Sequence, residues 1–317
     1  MTESIQLSQF EFIRASGPDA RTFLQGQVTC DTTQITPTQS VLGALCNLKG
    51  RVIADFRAAQ VGEDIVLKVG TGLAEPVLAV LKKYAVFSKL TLNKDDELAV
   101  LGLLVRGKGE SDAEDDAEDD AQSDTLPSGP HAVTSLGKGV LAIDAGCSDG
   151  GTRCVELWGN GPSIEASAAL LTSSDARTPN KAVAVATISD WTRLEILSGV
   201  IHITPALSEE YTPAQLNYDI SGVVNFKKGC YTGQEIVARM FYRSTPKKRL
   251  YPLRAEIPLA SDAELNDSAS ETAIKPLAIA GNAMLALLDT DPSAREITLA
   301  SEASVKLAVK EPDYFTK

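Results

Sequence analysis

Only two histidines, His131 and His202, occur in 317 residues, and the five cysteines, Cys30, Cys46, Cys147, Cys154 and Cys230, include no C-x-x-C pair. Those scarcities weigh against a prebuilt zinc site or a four-cysteine iron–sulfur site. An odd cysteine count in a chain this long points to reduced thiols rather than a disulfide framework. No apolar run reaches the roughly 18 residues that span a bilayer. The opening MTESIQLSQFEF has neither a basic start nor an apolar signal core, so the expected location is cytoplasmic, with no membrane partner. Aromatic residues make up 5% of the chain, and no internal repeat is found. A general basic excess for nucleic acid is missing too, because 42 acidic residues against 30 basic give a net charge of −12.

That acidity is uneven. Nine acids lie in the fifteen residues from Glu110 to Asp124, which hold no lysine or arginine; without them the net charge is near −3. So few apolar side chains and so much self-repulsion cannot offset the entropy of ordering, and 107–130 is expected to be a disordered acidic insertion. From Lys227 to Arg254 the balance reverses, with eight basic residues and one acid, Glu235. With 44% apolar residues the chain is long enough for two or three domains with cores.

Local patterns suggest an α+β chain. Phe10 to Ala15 reads as a strand, Ser16-Gly17-Pro18 as a helix start, and Ala20, Phe23, Leu24 and Val28 as one face of a short helix. Val41 to Leu48 and Val52 to Val61 read as paired strands around Lys49-Gly50, followed by Ile65 to Val69. Pro76 opens a helix carrying Val77, Val80, Leu81 and Tyr84 on one face. Strands are expected at Ser88 to Leu92, Leu98 to Val105, Val140 to Ile143 and Arg153 to Leu157, and helices from Gly161 through Leu171 and from Ile188 to Leu197. After Pro246, short apolar runs broken by Pro, Asp, Asn and Gly fit a small all-β domain, giving boundaries of 1–245 and 246–317.

Phe226-Lys227-Lys228-Gly229-Cys230-Tyr231-Thr232-Gly233-Gln234-Glu235-Ile236-Val237-Ala238-Arg239 carries the densest chemistry. Ile236, Val237 and Met240 have helical spacing, so a helix begins near Thr232 or Gly233, with Cys230 just before its positive end and beside two lysines. Both effects favour a thiolate. The blander reading is a buried structural cysteine in a glycine-flanked turn.

The Lys228-Gly229-Cys230-Tyr231-x-Gly233-Gln234-Glu235 segment resembles the signature of the YgfZ folate-binding proteins, relatives of the aminomethyltransferase of glycine cleavage. Leu24-Gln25-Gly26-Gln27-Val28-Thr29 with Asp31, Lys49-Gly50-Arg51, and Leu81 to Lys89 are similar to further elements of that family. The resemblance reaches from about Phe10 to Arg243. It implies two intertwined plait-like α/β modules plus a C-terminal β-barrel, arranged as a ring with a central hole that binds tetrahydrofolate or a derivative. It also implies support of iron–sulfur cluster assembly or repair and of iron–sulfur-dependent tRNA-modifying enzymes, with Cys230 as the functional thiol.

Two aromatic positions are linked to folate in the family. Trp191 matches the second; the first, usually Trp, is Phe10 here. Without the resemblance, Trp191 reads as a core side chain on an amphipathic helix. Where aminomethyltransferases carry a carboxylate two residues before a helix-ending glycine, the match before Gly199 is Leu197, and their paired aspartates correspond to Ala54-Asp55. Proton transfer needs a placed carboxylate, so ordinary aminomethyl transfer is disfavoured and catalysis stays open. The competing functions are a folate-dependent one-carbon transferase moving aminomethyl or formyl groups, and a scaffold whose Cys230 segment binds a partner without chemistry. Arg239, Arg243, Lys247, Lys248 and Arg249, interleaved with Phe241, Tyr242 and Tyr251, suit RNA phosphates and bases or the glutamate tail of a folate. Their commoner fate is a solvated helix end and linker, and direct tRNA binding ranks below it.

Overall fold

A computed structural model of the chain describes residues 2–106, 126–173, 186–268, 270, 272–290, 292 and 295–316. Its two larger sheets are built by a chain that begins in one, leaves for the other and returns. In the first sheet, β2 (Phe10–Ser16), β3 (Val41–Cys46), β4 (Val52–Val61), β5 (Asp64–Gly70) and β6 (Thr91–Lys94) lie in the order β3-β4-β5-β2-β6. In the second, β1 (Thr2–Gln6) joins β7 (Leu98–Arg106), β8 (Val133–Gly137), β9 (Val140–Asp149) and β10 (Thr152–Asn160) in the order β1-β7-β10-β9-β8. Pairing is antiparallel throughout.

Among the described residues, five α-helices accompany the sheets: α1 (Ala20–Gln25), α2 (Ala74–Tyr84), α3 (Gly161–Ser173), α4 (Ile188–Leu197) and α5 (Gln234–Arg243). In α4, the Thr187 side chain accepts from the Asp190 amide while the Asp190 carboxylate accepts from the Thr187 amide, which satisfies two otherwise orphaned donors at the start. Helix α2 begins at Ala74, two residues ahead of Pro76, because a proline in the first turn removes no intrahelical bond. Lys82 and Lys83 are exposed, Tyr84 is exposed as well although its spacing predicts the apolar face, and the segment after the helix does not form the expected strand from Ser88. It turns over 85–90 with Val86 and Phe87 exposed, and β6 starts only at Thr91.

The two sheets meet through apolar side chains that include Phe10 and Phe12 of β2, Val66 of β5, Leu104 of β7, Trp158 of β10, and Trp191 and Leu194 of α4. Phe12 and Trp158 make an edge-to-face contact across this interface, with centroids 5.1 Å apart. Gly102 of β7 is required there, because a Cβ at that position would stand 2.6 Å from the Trp191 ring. On the other side of the first sheet a second core contains Leu24, Leu45, Phe56 and Leu67.

Of the stretch 107–130 expected to be disordered, 126–130 is described and ordered. Glu110 to Asp124 lies outside the described residues, but Leu126 is buried in a core with Leu101 and Leu157, and the Pro127 carbonyl accepts from Arg153. Leu126 and this hydrogen bond hold 126–130, which leads to β8.

After α5, β11 (Lys248–Arg254), β13 (Ala278–Ala280), β14 (Ala283–Asp289) and β16 (Ala308–Val309) form a sheet in the order β13-β14-β11-β16, while β12 (Leu265–Asp267) pairs with β15 (Ile297–Leu299). The all-β texture is present, but strands of two or three residues interrupted by turns do not close their pairing into a barrel among the described residues. Across these residues, no helix is long and apolar enough to cross a membrane.

Candidate functional site

Strand β4 is buried over its first eight residues, so both faces must find partners away from water. Alternation sends Ala54, Phe56 and Ala58 into one apolar core and puts Asp55 and Arg57 on the opposite face. Asp55 accepts from the Ile203 amide at 2.6 Å and meets His202, with Oδ2 and Nδ1 2.8 Å apart. The other imidazole nitrogen, Nε2, lies 3.1 Å from Glu195 Oε1 of α4, and that oxygen also accepts from the Trp191 indole N–H at 2.8 Å. A carboxylate on each nitrogen requires both nitrogens to donate, which is the imidazolium form. Burial alone would lower the His202 pKa, but Glu195 and Asp55 overcome it and raise it to about 10.

His202 and Asp55 border a cavity of about 200 Å³ whose walls also include Phe56, Leu197, Tyr218 and Tyr314. Tyr314 comes from the C-terminal segment; its hydroxyl donates to the Gly199 carbonyl and accepts from Asn217 Nδ2. Apolar walls around a few fixed polar groups are the general form of a small-molecule site. Leu197 forms part of the wall, in keeping with its apolar character. The cavity nevertheless has carboxylates close by in Asp55 and Glu195, both engaged with His202.

The sequence-matched aromatics are placed differently from one another. Trp191 has no exposed surface, and its indole is held by Glu195 and packed on Gly102. No face of that ring is open for stacking on a ligand; its burial follows from an amphipathic helix turning its largest apolar side chain inward. Phe10 is also buried, but its edge-to-face contact with His202, centroids 4.9 Å apart, puts it directly behind the cavity wall.

A second site lies in the loop before α5, and three separated motifs converge on it. Lys228 Nζ donates to the carbonyls of Gln25 and Val28, each at 2.6 Å, the Thr232 amide donates to Gly26, and the Thr232 hydroxyl donates to Gln27 Oε1. The Lys49-Gly50-Arg51 turn packs on α5, where a Cβ at Gly50 would stand 2.8 Å from Ile236. Gly233 has φ +83, and a Cβ there would meet the Asn47 carbonyl at 2.6 Å, so only glycine fits. Tyr231 is buried, and Gln234 accepts from its amide, whereas Gly229, Cys230, Glu235 and Arg239 are exposed.

Lys228 therefore fastens the loop and does not sit free beside the thiol. Burial lowers its pKa to about 8 against the opposing pull of Cys30 and Asp31. Of the two lysines expected to flank Cys230, Lys227 alone is exposed. What distinguishes Cys230 is access: the other four cysteines are buried, and burial raises the Cys30 and Cys46 thiols to about 12 and moves Cys147 and Cys154 higher still. Iodoacetamide on the native protein at pH 8 is accordingly expected to label Cys230 alone, and denaturant to release all five. Labelling of a second cysteine at a similar rate in the native state would contradict this arrangement.

Cys230 is not among the residues lining the His202 cavity, so the thiol and the cavity are separate places on the molecule. Among the described residues, no three His, Cys, Asp or Glu side chains converge to hold a metal ion. His202, Glu195 and Tyr314 were not legible as site residues. The available signals were a single acid inside the apolar run Leu194-Glu195-Ile196-Leu197 and a lone histidine inside Ile201-His202-Ile203.

No protein-family profile matches the chain. Among curated proteins it is 33% identical to the tRNA-modifying protein YgfZ of Colwellia psychrerythraea, over 82% of this chain and 75% of that protein. It is 34% identical to the protein of that name from Photorhabdus laumondii, over 81% and 73%. The Escherichia coli protein is 33% identical over 78% and 70%. Among solved structures, the glycine cleavage system aminomethyltransferase T from Bartonella henselae superposes with a TM-score of 0.71 at 16% identity, covering 99% of this chain and 86% of that one. That second likeness establishes a shared mixed α/β fold, and fold alone does not carry activity. With a third of its residues identical over most of both lengths, the chain belongs to the YgfZ family.

Proposed function

We propose that this protein binds tetrahydrofolate or a derivative in the His202 cavity and, in the cytoplasm, supports iron–sulfur cluster assembly or repair and iron–sulfur-dependent tRNA modification, with Cys230 as its functional thiol. The observation that carries the folate part is the cavity itself. Its apolar and aromatic walls suit a flat bicyclic ring, and Asp55, fixed by His202 and the Ile203 amide, is an acceptor for the ring's N–H groups. In this reading residues 1–245 form the two intertwined modules of the folate-binding core and 246–317 a barrel-like module closing a ring; the contribution of Tyr314 to the cavity supports that arrangement. The tRNA part is drawn from the relatives, which are called tRNA-modifying proteins.

An accessory role is favoured over one-carbon transfer. Asp55 and Glu195 both hold the same imidazolium, so neither stands as an unengaged base for a substrate proton. The iron–sulfur enzymes themselves are then the partners of the exposed Cys230 loop, including Gly229, Glu235 and Arg239.

Isothermal titration with (6S)-tetrahydrofolate is expected to give saturable one-to-one binding, and its absence would remove the folate reading. For the thiol, a strain lacking the chromosomal copy is complemented with wild type or Cys230→Ala and its thiolated tRNA nucleosides are quantified. Loss of most of the complemented thiolation is expected with Cys230→Ala; full restoration would exclude a functional thiol.

A further inference from the structure

At the rim of the His202 cavity, positive charge gathers around one carboxylate. Lys310 lines the cavity with its side chain 38% exposed, and its ammonium lies 2.9 Å from Asp149 Oδ1. The same carboxylate has Arg193 at 3.5 Å and Arg254 at 3.9 Å. Three cations thus share the one Asp149 carboxylate. Of the acids nearby, Asp190 caps α4 through Thr187 and Glu3 pairs with Arg106, while Glu311, next to Lys310 in the chain, is exposed.

The position of Lys310 is fixed by more than this ion pair. Its amide donates to the Pro252 carbonyl at 2.9 Å, and β16 just before it pairs with β11. Elsewhere in the cavity wall Asp55 accepts from the Ile203 amide and meets His202, which makes it a fixed acceptor. The cavity therefore offers a fixed carboxylate acceptor at Asp55 and cations at its rim. Its volume of about 200 Å³ is below the roughly 300–1,000 Å³ of sites that enclose a whole drug-sized ligand, so a larger ligand must extend past the rim.

We infer that Lys310, backed by Arg254 and Arg193, is a carboxylate-recognition subsite for a ligand whose hydrogen-bond-donating flat ring occupies the interior. This inference rests on the folate reading and extends it: the subsite takes the glutamate tail, and longer polyglutamate tails are preferred. Charge-assisted contacts to a partly exposed lysine are screened, so the expected contribution is modest.

The test is isothermal titration of three probes, 6-methyltetrahydropterin without a tail, (6S)-tetrahydrofolate and its triglutamate, against wild type, Lys310→Gln and Lys310→Arg, with unfolding midpoints confirming that each variant folds. Lys310→Gln is expected to weaken tetrahydrofolate about five- to tenfold and the triglutamate more, to leave the tail-free pterin within about twofold, and Lys310→Arg to restore most of the loss. Equal weakening of all three probes, or none, would overturn the subsite while leaving folate binding intact. Wild type that binds neither the pterin nor the folates would overturn the folate reading and this subsite with it. Should Lys310→Gln fail to fold, Arg254→Gln serves as the second variant and is expected to weaken the triglutamate but not the pterin; an unchanged triglutamate affinity would count against the subsite.

Discussion

Glu156→Ala is expected to destabilise the protein by about 3–5 kcal/mol, the usual range for stranding one side of a buried ion pair, and to lower its unfolding midpoint by about 10 °C. Glu156 on β10 reaches from the second sheet to the first, where its Oε1 lies 2.6 Å from Lys68 Nζ and both side chains are 2% exposed. Its other oxygen accepts from the Trp158 indole at 2.7 Å and lies 3.7 Å from Arg57 Nε. Arg57 and Lys68 are directly opposed on β4 and β5, so their mutual repulsion is tolerated because Glu156 stands between them. The Phe10 ring, with the Lys68 ammonium 3.8 Å from its centroid, adds a weaker cation–π contact that cannot replace a full charge.

The pH dependence has a definite direction. Burial alone would raise the Glu156 pKa, but Lys68 and Arg57 hold it down at about 2, below its ordinary value of 4.5. The group thus contributes stability that is complete above pH 4.5 and is lost as pH falls toward 2. Denaturant unfolding of Glu156→Ala and wild type across this window measures both effects; a variant within about 1 kcal/mol of wild type at pH 7 would show that the cations find other partners. The double variant Lys68→Met/Glu156→Met is expected to recover part of the loss, since it leaves one buried cation in place of two.

His202→Gln is expected to destabilise the protein by about 2–4 kcal/mol at neutral pH, because it leaves Asp55 and Glu195 without the cation between them. Here the folded pKa of about 10 is above the ordinary 6.5, so the contribution is complete below pH 6.5 and disappears as pH rises toward 10. The difference in unfolding free energy between wild type and His202→Gln should therefore shrink from pH 6.5 to 10. A difference that stays constant over that range would mean that His202 does not carry the charge assigned to it. Comparing the two proteins at each pH cancels the lysines and tyrosines that also titrate there.

The parts of this structure legible in the sequence are those set by near neighbours. Gly161-Pro162, the apolar face after Ile188 and the glycines around Cys230 mark α3, α4 and the start of α5, because propensity and capping act within one or two turns. That local pattern leaves open whether Cys230 is exposed or buried, and it is exposed. What sequence reasoning could not supply is direction across the fold. Lys228 turned inward because unpaired carbonyls at Gln25 and Val28 were waiting about 200 positions earlier in the chain. Asp55 and His202 are separated by 147 positions, so no spacing rule unites them. Trp191, which the family resemblance links to folate and its helix alone places in the core, is fully buried.

The passage of the chain from one sheet to the other and back imposes an order on synthesis. Thr2–Gln6 is synthesised well before its hydrogen-bonding neighbour, Leu98–Arg106, and that strand's other neighbour ends at Asn160. The opening strand must wait, unpaired, while the sheet containing Phe10 to Lys94 assembles from shorter loops. A nascent chain stopped before residue 98 thus carries a completed first sheet and a bare strand edge, which is the form most open to capture by a chaperone or by another unfinished copy.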